Sequence, residues 1–200
     1  MSLLAAVATF DWDVEETARR LAQLPPGQQE EARCRRHPER LREYVASRHL
    51  LAATRALLPH AHNPRWSVSH CGDMAACVWS ADVACGIDLE KRDRRIDPLP
   101  IAERYFAADE YEWLSRLPPG QQPNGFLDLW TRKEACIKAL GKGIAGHLDL
   151  VRFGQDGDHP VNATADGLPL RVRRFHDPAW MLAVAWRGAP RDVRLLRLAL

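Results

Sequence analysis

Apolar and polar positions along this chain recur with two periods, and the changes of period divide it into elements. Residues 3–10 form a nearly continuous apolar run, which predicts a first strand. Residues 14–24 then carry Val14, Ala18, Leu21 and Ala22 at helical spacing, until Leu24-Pro25-Pro26-Gly27 breaks the helix. A short basic helix is expected over 31–36. Pro38 opens a longer one, with Leu41, Tyr44, Val45, Leu51 and Leu58 at roughly helical intervals. After a loop at 60–64 come three short strands at 65–70, 74–80 and 84–90. Turn signals at Cys71-Gly72-Asp73 and Ala81-Asp82 separate them, so the expectation is an antiparallel meander. The helical period returns at 99–106 and 108–117, followed by a loop over 118–125. A helix through Trp130 to Leu140 ends at Gly141 and Gly143, and further strands are expected at 148–153, 168–175, 179–186 and 193–198.

The charged stretch 91–97 is the natural midpoint, dividing the chain into halves of 1–95 and 96–200. Leu24-Pro25-Pro26-Gly27-Gln28-Gln29 recurs as Leu117-Pro118-Pro119-Gly120-Gln121-Gln122. This echo fits a duplicated half-domain, or else two Pro/Gly linkers of similar composition. With 46% hydrophobic and 27% charged residues, the chain reads as an ordinary soluble protein able to bury a core. A formal net charge of +2 gives nucleic-acid binding no support. The arginines are uneven, however, and their concentration at 33, 35, 36, 40, 42 and 48 allows a local anionic ligand. Five cysteines, an odd number with no C-x-x-C pair, argue against a disulfide framework or a structural zinc site and suit a reducing cytoplasm. The N-terminal apolar run lacks a basic flank and soon meets Asp11 and Asp13, so it reads as a strand rather than a signal peptide. No apolar run has the length of a membrane span.

Two stretches carry candidate chemistry. In the helix 130–140, Leu129, Trp130, Ile137 and Leu140 share an apolar side. Lys133, Glu134 and Lys138 mark a charged one, with Glu134 and Lys138 one turn apart. By itself that pair reads as a solvated ion pair. In the strand Gly86-Ile87-Asp88-Leu89-Glu90, alternation puts Asp88 and Glu90 on one face and Ile87 and Leu89 on the other. Two carboxylates about 5 Å apart repel by roughly 3 kcal/mol at an effective dielectric of about 20. Adding Glu134 beside them calls for a cation or a proton, and all-oxygen ligands favour Mg²⁺ or Mn²⁺ over zinc. Magnesium usually completes its shell with water and substrate phosphate, so such a substrate carries phosphate. The alternative is a solvated strand end opposite Lys91 and Arg92.

Placed together, Gly86-Ile87-Asp88-Leu89-Glu90 and Trp130-Thr131-Arg132-Lys133-Glu134-Ala135-Cys136-Ile137-Lys138 resemble the paired signature of the 4′-phosphopantetheinyl transferases, in the monomeric, pseudo-twofold class similar to the surfactin-synthetase activators. Three further segments match in order. Trp66-Ser67-Val68-Ser69-His70 is similar to a family strand ending in Ser-His. Residues 102–111 resemble the segment A-x-R-x-F-x-x-x-E, and Gly141-Lys142-Gly143 resembles the end of the motif helix. The resemblance runs from about Arg33 to the C-terminus and is densest between Trp66 and Gly143.

It implies an α+β fold of two similar half-domains, each a small antiparallel sheet packed with a long helix, and a monomeric cytoplasmic enzyme. It implies transfer of the phosphopantetheine arm of coenzyme A to a serine of an acyl or peptidyl carrier protein, with release of adenosine 3′,5′-bisphosphate. Asp88, Glu90 and Glu134 would then hold Mg²⁺ (or Mn²⁺), and Glu134 would also accept the serine proton, directly or through a metal-bound water. Lys138 would face the phosphates, and Lys133 would serve similarly or lie at the edge of the core or on the surface. His70 would contact a coenzyme A phosphate or the bound nucleotide and Arg48 a phosphate, while Trp130 would be a packing anchor. The chain departs from the family pattern in lacking a Gly-Lys-Pro-like segment before the Ser-His strand, which bears on adenine binding, and in carrying Cys71 where a small hydroxyl residue is common. The rival readings are another metal-dependent phosphotransfer or nucleotide-hydrolysing enzyme, and a silent coenzyme A-binding protein.

Overall fold

The computed structural model describes residues 2–58, 62–142, 148–154, 160, 164–165, 168–189 and 191–200. Its first strand, β1 (Leu3–Thr9), pairs antiparallel with β3 (Met74–Ser80) and parallel with β8 (Val193–Ala199). With β2 (Arg65–Cys71) on the far side of β3, the sheet order is β2-β3-β1-β8. A second, antiparallel sheet runs β4-β7-β6-β5, from β4 (Cys85–Lys91), β7 (Trp180–Arg187), β6 (Leu168–His176) and β5 (Thr164–Ala165).

The long apolar run of β1 is explained by cover on both faces. Leu3, Ala5 and Val7 join Ile87, Leu89, Leu182 and Val184 in a core between the two sheets. Leu4, Ala6 and Ala8 point the other way, onto Tyr44, Val45 and Leu50 of α3 (Pro38–Arg55). Across the molecule, Val172, Met181, Ala183 and Ala185 pack on Ala135, Cys136, Ile137 and Ala139 of α6 (Gln122–Ala139). The layers are therefore α3, sheet, sheet, α6, and each long helix covers the outer face of one sheet. This is the expected α+β fold of two similar halves, with one sheet made mixed by the parallel β1–β8 pair. Among the described residues no helix is long and apolar enough to cross a membrane.

Several elements differ from expectation. β2 and β3 form a hairpin around Gly72, whose φ of +64° a glycine adopts readily. The meander stops there. β3 already has β2 on one edge and β1 on the other, so β4 crosses to the second sheet and pairs with β7. A division at residue 95 thus leaves β4 with the first half of the chain although it belongs to the second sheet, and β8 makes the reverse exchange. The strand expected at 148–153 is a 3-10 turn, Leu148–Leu150, with one isolated bridge between Phe153 and Pro160. Its Leu148 and Val151 carbonyls are taken by the Lys133 ammonium, not by a strand ladder. α6 begins at Gln122, inside the stretch expected as loop, because Pro123 is tolerated in a first helical turn. The other helices are α1 (Val14–Ala22), α2 (Pro26–Arg33), α4 (Pro98–Tyr105) and α5 (Ala108–Arg116), with α2 lying earlier than expected.

The repeated hexapeptide builds the same device twice. Gln29 Nε2 donates to the carbonyls of Ala22 and Leu24 at 3.3 and 2.7 Å. Gln122 Nε2 donates to those of Ser115 and Leu117 at 3.4 and 3.1 Å. In each copy the last glutamine satisfies carbonyls at the end of the preceding helix. The first copy leads into the short α2 and the second directly into α6. α6 ends in a Schellman turn, with Lys142 N–H donating to Ile137 O at 3.1 Å and Gly141 at φ +68°. Gly143 and the 60–61 part of the expected loop lie outside the described residues.

Candidate active site

β4 is buried on both faces, and its alternation sorts its side chains between two surroundings. Ile87 and Leu89 enter the inter-sheet core, while Gly86, Asp88 and Glu90 turn toward α6. Gly86 sets the distance to the helix. A Cβ built there would stand 2.1 Å from Ala135 O and 2.6 Å from Ala139 N, so only glycine lets α6 lie this close. Glu134 and Lys138 are brought over Asp88 as a result. The Lys138 ammonium lies 2.7 Å from Asp88 Oδ1, 3.0 Å from the Ile87 carbonyl oxygen and 3.8 Å from Glu134 Oε2. The pairing is therefore with the carboxylate across the seam more than with its neighbour one turn back on the helix.

The far edge of β4 meets β2, and side chains replace a backbone ladder there. Ser67 Oγ accepts from Ile87 N–H at 3.3 Å. Ser69 Oγ accepts from Leu89 N–H at 3.2 Å and donates to Asp88 Oδ1 at 2.8 Å. Cys71 Sγ lies 3.6 Å from Glu90 Oε2. Alternate residues of β2 thus form three rungs along β4, and Cys71 is the last of them. Burial pushes its thiol up to about 11, so it stays protonated at neutral pH.

Asp88, Glu90 and Glu134 are all buried. Burial, then the Asp88 charge, pushes Glu134 up to about 8 against the pull of Lys138. Glu90 is raised for the same two reasons, opposed by Arg94, whose Nη1 lies 2.6 Å from Glu90 Oε1. Asp88 Oδ2 is buried without a hydrogen-bond partner. A proton on Glu134 would let it donate to Asp88. With Glu134 ionised, that oxygen needs a cation. Among the described residues no three His, Cys, Asp or Glu side chains are already gathered as a metal cage. Lys138 draws on Asp88 and Arg94 on Glu90, and the partnerless Oδ2 beside Glu134 is what a hard divalent ion fits.

Glu90 opens onto a cleft of about 500 Å³ also lined by His37, Arg40, Glu43, His70, Cys71 and Arg94. His70 thus shares a cleft with Glu90. Arg48 does not. It stacks over Tyr44 and Trp66 at 4.7 and 5.4 Å, in a separate cavity of about 420 Å³ that includes Trp79 and Arg55. Lys133, expected as a ligand contact or at the edge of the core, is 0% exposed. Its ammonium lies 2.7 Å from Glu110 Oε2 and also bonds the carbonyls of Leu148 and Val151, so it reaches no ligand. Trp130 packs on Phe126 and Phe106, as expected of an anchor. Arg40 belongs to the arginine cluster read as allowing an anionic ligand, whereas Glu43 and Arg94 carried no such signal. Arg94 follows the acidic strand by four residues, but only a helix would make that spacing a signal.

The sequence profile of the 4′-phosphopantetheinyl transferase superfamily matches residues 84–185, just over half of the chain. The chain is similar to the 4′-phosphopantetheinyl transferase psf-1 of Bacillus pumilus, with 38% identity over 61% of this chain and 52% of the relative. It is similar to the 4′-phosphopantetheinyl transferase Sfp of Bacillus subtilis (strain 168), with 33% identity over 70% of this chain and 62% of the relative. It thus spans little more than half the length of these curated relatives. Among solved structures, a holo-(acyl-carrier-protein) synthase from Bacillus anthracis in complex with CoA (3′,5′-ADP) aligns with a TM-score of 0.41 and 18% identity, over 54% of this chain and 98% of that one. The matched segment runs from β4 through α6 to β7 and so contains Asp88, Glu90, Glu134 and Lys138, and by that match the chain belongs to the 4′-phosphopantetheinyl transferase superfamily.

Proposed function

We propose that this protein transfers the 4′-phosphopantetheine arm of coenzyme A to a serine of an acyl or peptidyl carrier protein. The serine oxygen forms a bond to the phosphorus bearing the pantetheine arm, the pyrophosphate bond breaks, and adenosine 3′,5′-bisphosphate leaves. The observation that carries this reading is the seam itself. A partnerless buried oxygen of Asp88, the Glu134 carboxyl and the Lys138 ammonium meet beside a cleft that holds Glu90 and several cationic side chains.

Asp88 and Glu134 are the groups suited to hold Mg²⁺, or Mn²⁺ in its place, with Glu90 as the third carboxylate once it leaves Arg94. Bound there, the cation would supply charge neutralisation for the pyrophosphate. Glu134 accepts the proton of the serine hydroxyl. Lys138 has three N–H donors, of which two serve Asp88 and the Ile87 carbonyl, and the third is available to a phosphate oxygen. Arg40 and Arg94 bring fixed positive charge to the cleft for coenzyme A phosphates, and His37 and His70 offer ring nitrogens beside them. We place the enzyme in the cytoplasm as a monomer, where its free cysteines remain reduced.

The test is mass spectrometry of apo-carrier proteins from fatty-acid, polyketide and nonribosomal peptide systems after incubation with coenzyme A and Mg²⁺. A gain of one phosphopantetheine on a carrier serine is expected. Bisphosphate released with no carrier modified would overturn the reading in favour of a nucleotide-hydrolysing enzyme.

A further inference from the structure

Glu43 lies on α3 and lines the same cleft as Glu90 of the acidic strand. Both of its oxygens are engaged. Oε2 lies 3.1 Å from His70 Nδ1, and Oε1 accepts from Gly72 N–H at 3.0 Å. The second bond ties the carboxylate to the β2–β3 turn, where Gly72 has its positive φ. Only 15% of the Glu43 side chain is exposed, so this is not a loose surface pair. Burial alone would raise the Glu43 pKa, yet it is lowered, because the hydrogen bonds from His70 and Gly72 N–H, with the Arg40 charge, outweigh that effect. An ionised carboxylate can only accept hydrogen bonds. The imidazole nitrogen facing it must therefore carry the proton, and the ring is left with Nε2 for other contacts. His70 Nε2 has no hydrogen-bond partner among the described residues, and the ring lines the cleft beside Glu90, Arg40 and Arg94.

We propose that Glu43 is a positioning residue: it fixes His70 in the Nδ1–H tautomer and so presents Nε2 to the anionic ligand of the cleft. The carboxylate acts on the ligand only through the ring, in the manner of the partners that orient metal-binding or catalytic histidines. A ring that donates from Nε2 to a phosphate oxygen keeps its Nδ1–H on Glu43 and so bridges the two. That a phosphate is the ligand rests on the transferase reading, whereas the tautomer does not.

The first experiment therefore uses no substrate. Long-range ¹H–¹⁵N NMR spectra of the labelled protein at alkaline pH, with His70 assigned by loss of its signals in H70Q, report which ring nitrogen carries the proton. Protonation at Nδ1 is expected, and an Nε2–H tautomer in the unaltered protein would overturn the proposal. In Glu43→Gln the side-chain oxygen stays on Gly72 N–H and the amide NH₂ meets Nδ1, so the tautomer is expected to switch to Nε2–H. An unchanged spectrum would count against Glu43. The second experiment is calorimetric titration with adenosine 3′,5′-bisphosphate. Glu43→Gln is expected to weaken binding about tenfold in the wild-type background and less than twofold in H70Q, since a charge-assisted hydrogen bond is at stake. An equal loss in both backgrounds would mean that Glu43 acts on the cleft without His70, and the proposal would fall. If no carrier is modified but the tautomer switches, the transferase reading fails and the positioning role stands.

Discussion

Lys133 and Glu134 are adjacent on α6, and their side chains end up in opposite environments. Both looked like members of one charged face. Lys133 instead points into the core, where Glu110 receives it, and Glu110 also accepts from Ala107 N–H and Phe153 N–H, each at 2.9 Å. Glu110 is the glutamate of the A-x-R-x-F-x-x-x-E segment, so the motif was legible in the sequence while its structural purpose was not. Nothing in a charge pattern separates a buried pair from a solvated one. Removing one partner of such a pair leaves the other buried and uncompensated. Lys133→Met should therefore destabilise the fold by about 3–5 kcal/mol in chemical denaturation, and Lys133→Met with Glu110→Gln should recover part of that loss. A Lys133→Met protein of unchanged stability would mean that the ammonium does no structural work. Glu134 makes the contrasting case. Its carboxyl binds a proton in the folded state up to about pH 8 but in the unfolded state only to about 4.5. Between those values the folded form holds more protons, so stability falls as pH rises. The carboxyl pKa values that folding lowers act below this window. Without metal, the unfolding midpoint should decline from pH 5.5 to 8, Glu134→Gln should flatten the slope, and Mg²⁺ should stabilise more at pH 8 than at pH 5.5. Equal slopes in the two proteins would remove the cost assigned to Glu134.

At the scale of elements, alternation along β4 was readable because a strand has only two faces, and it correctly placed Asp88 and Glu90 together. The meander was not, because strand order depends on which edges are already occupied, and β1 takes the edge that β4 would have used. Gly86 was quoted as part of the motif without a reason for being glycine. The reason is the approach of α6, which no local pattern encodes. Gly86→Ala would press a methyl group on the Ala135 carbonyl and the Ala139 amide, so the helix must shift and carry Glu134 and Lys138 off Asp88. Overpacking of this kind costs about 1–3 kcal/mol or more, and carrier modification should drop by far more than stability accounts for. Gly27→Ala is the control: it meets nothing within 4 Å and should leave both measurements near wild type. If Gly86→Ala retains near-normal transfer, the close packing of helix on strand is not what assembles the site.

At the scale of the whole molecule, the two sheets share a core and also meet edge to edge, where β2 and β4 run side by side without a shared ladder. Ser67 and Ser69 supply the missing partners, and Ser69 at the same time holds the Asp88 carboxylate. The Ser-x-Ser spacing was visible in the sequence as part of a strand that ends in Ser-His. Its role was not, since a serine on a strand face carries no sign of the strand it will meet some twenty residues later. Joining the halves through side chains makes the seam local and separable. Ser69→Ala should release the Leu89 amide and one bond to Asp88, at a cost of about 1–3 kcal/mol. Hydrogen exchange should then accelerate at Leu89, while Ile87, bonded to Ser67, stays protected, and Ser67→Ala should give the converse pattern. Faster exchange at both amides in either variant would show that the edges come apart as one unit, as a backbone ladder would. Faster exchange at neither would show that the serines do not hold the seam. Separable rungs have a consequence for chemistry. Ser69→Ala should weaken Mg²⁺ retention through Asp88, and Ser67→Ala should not, although both serines lie on the same strand face and bond the same edge.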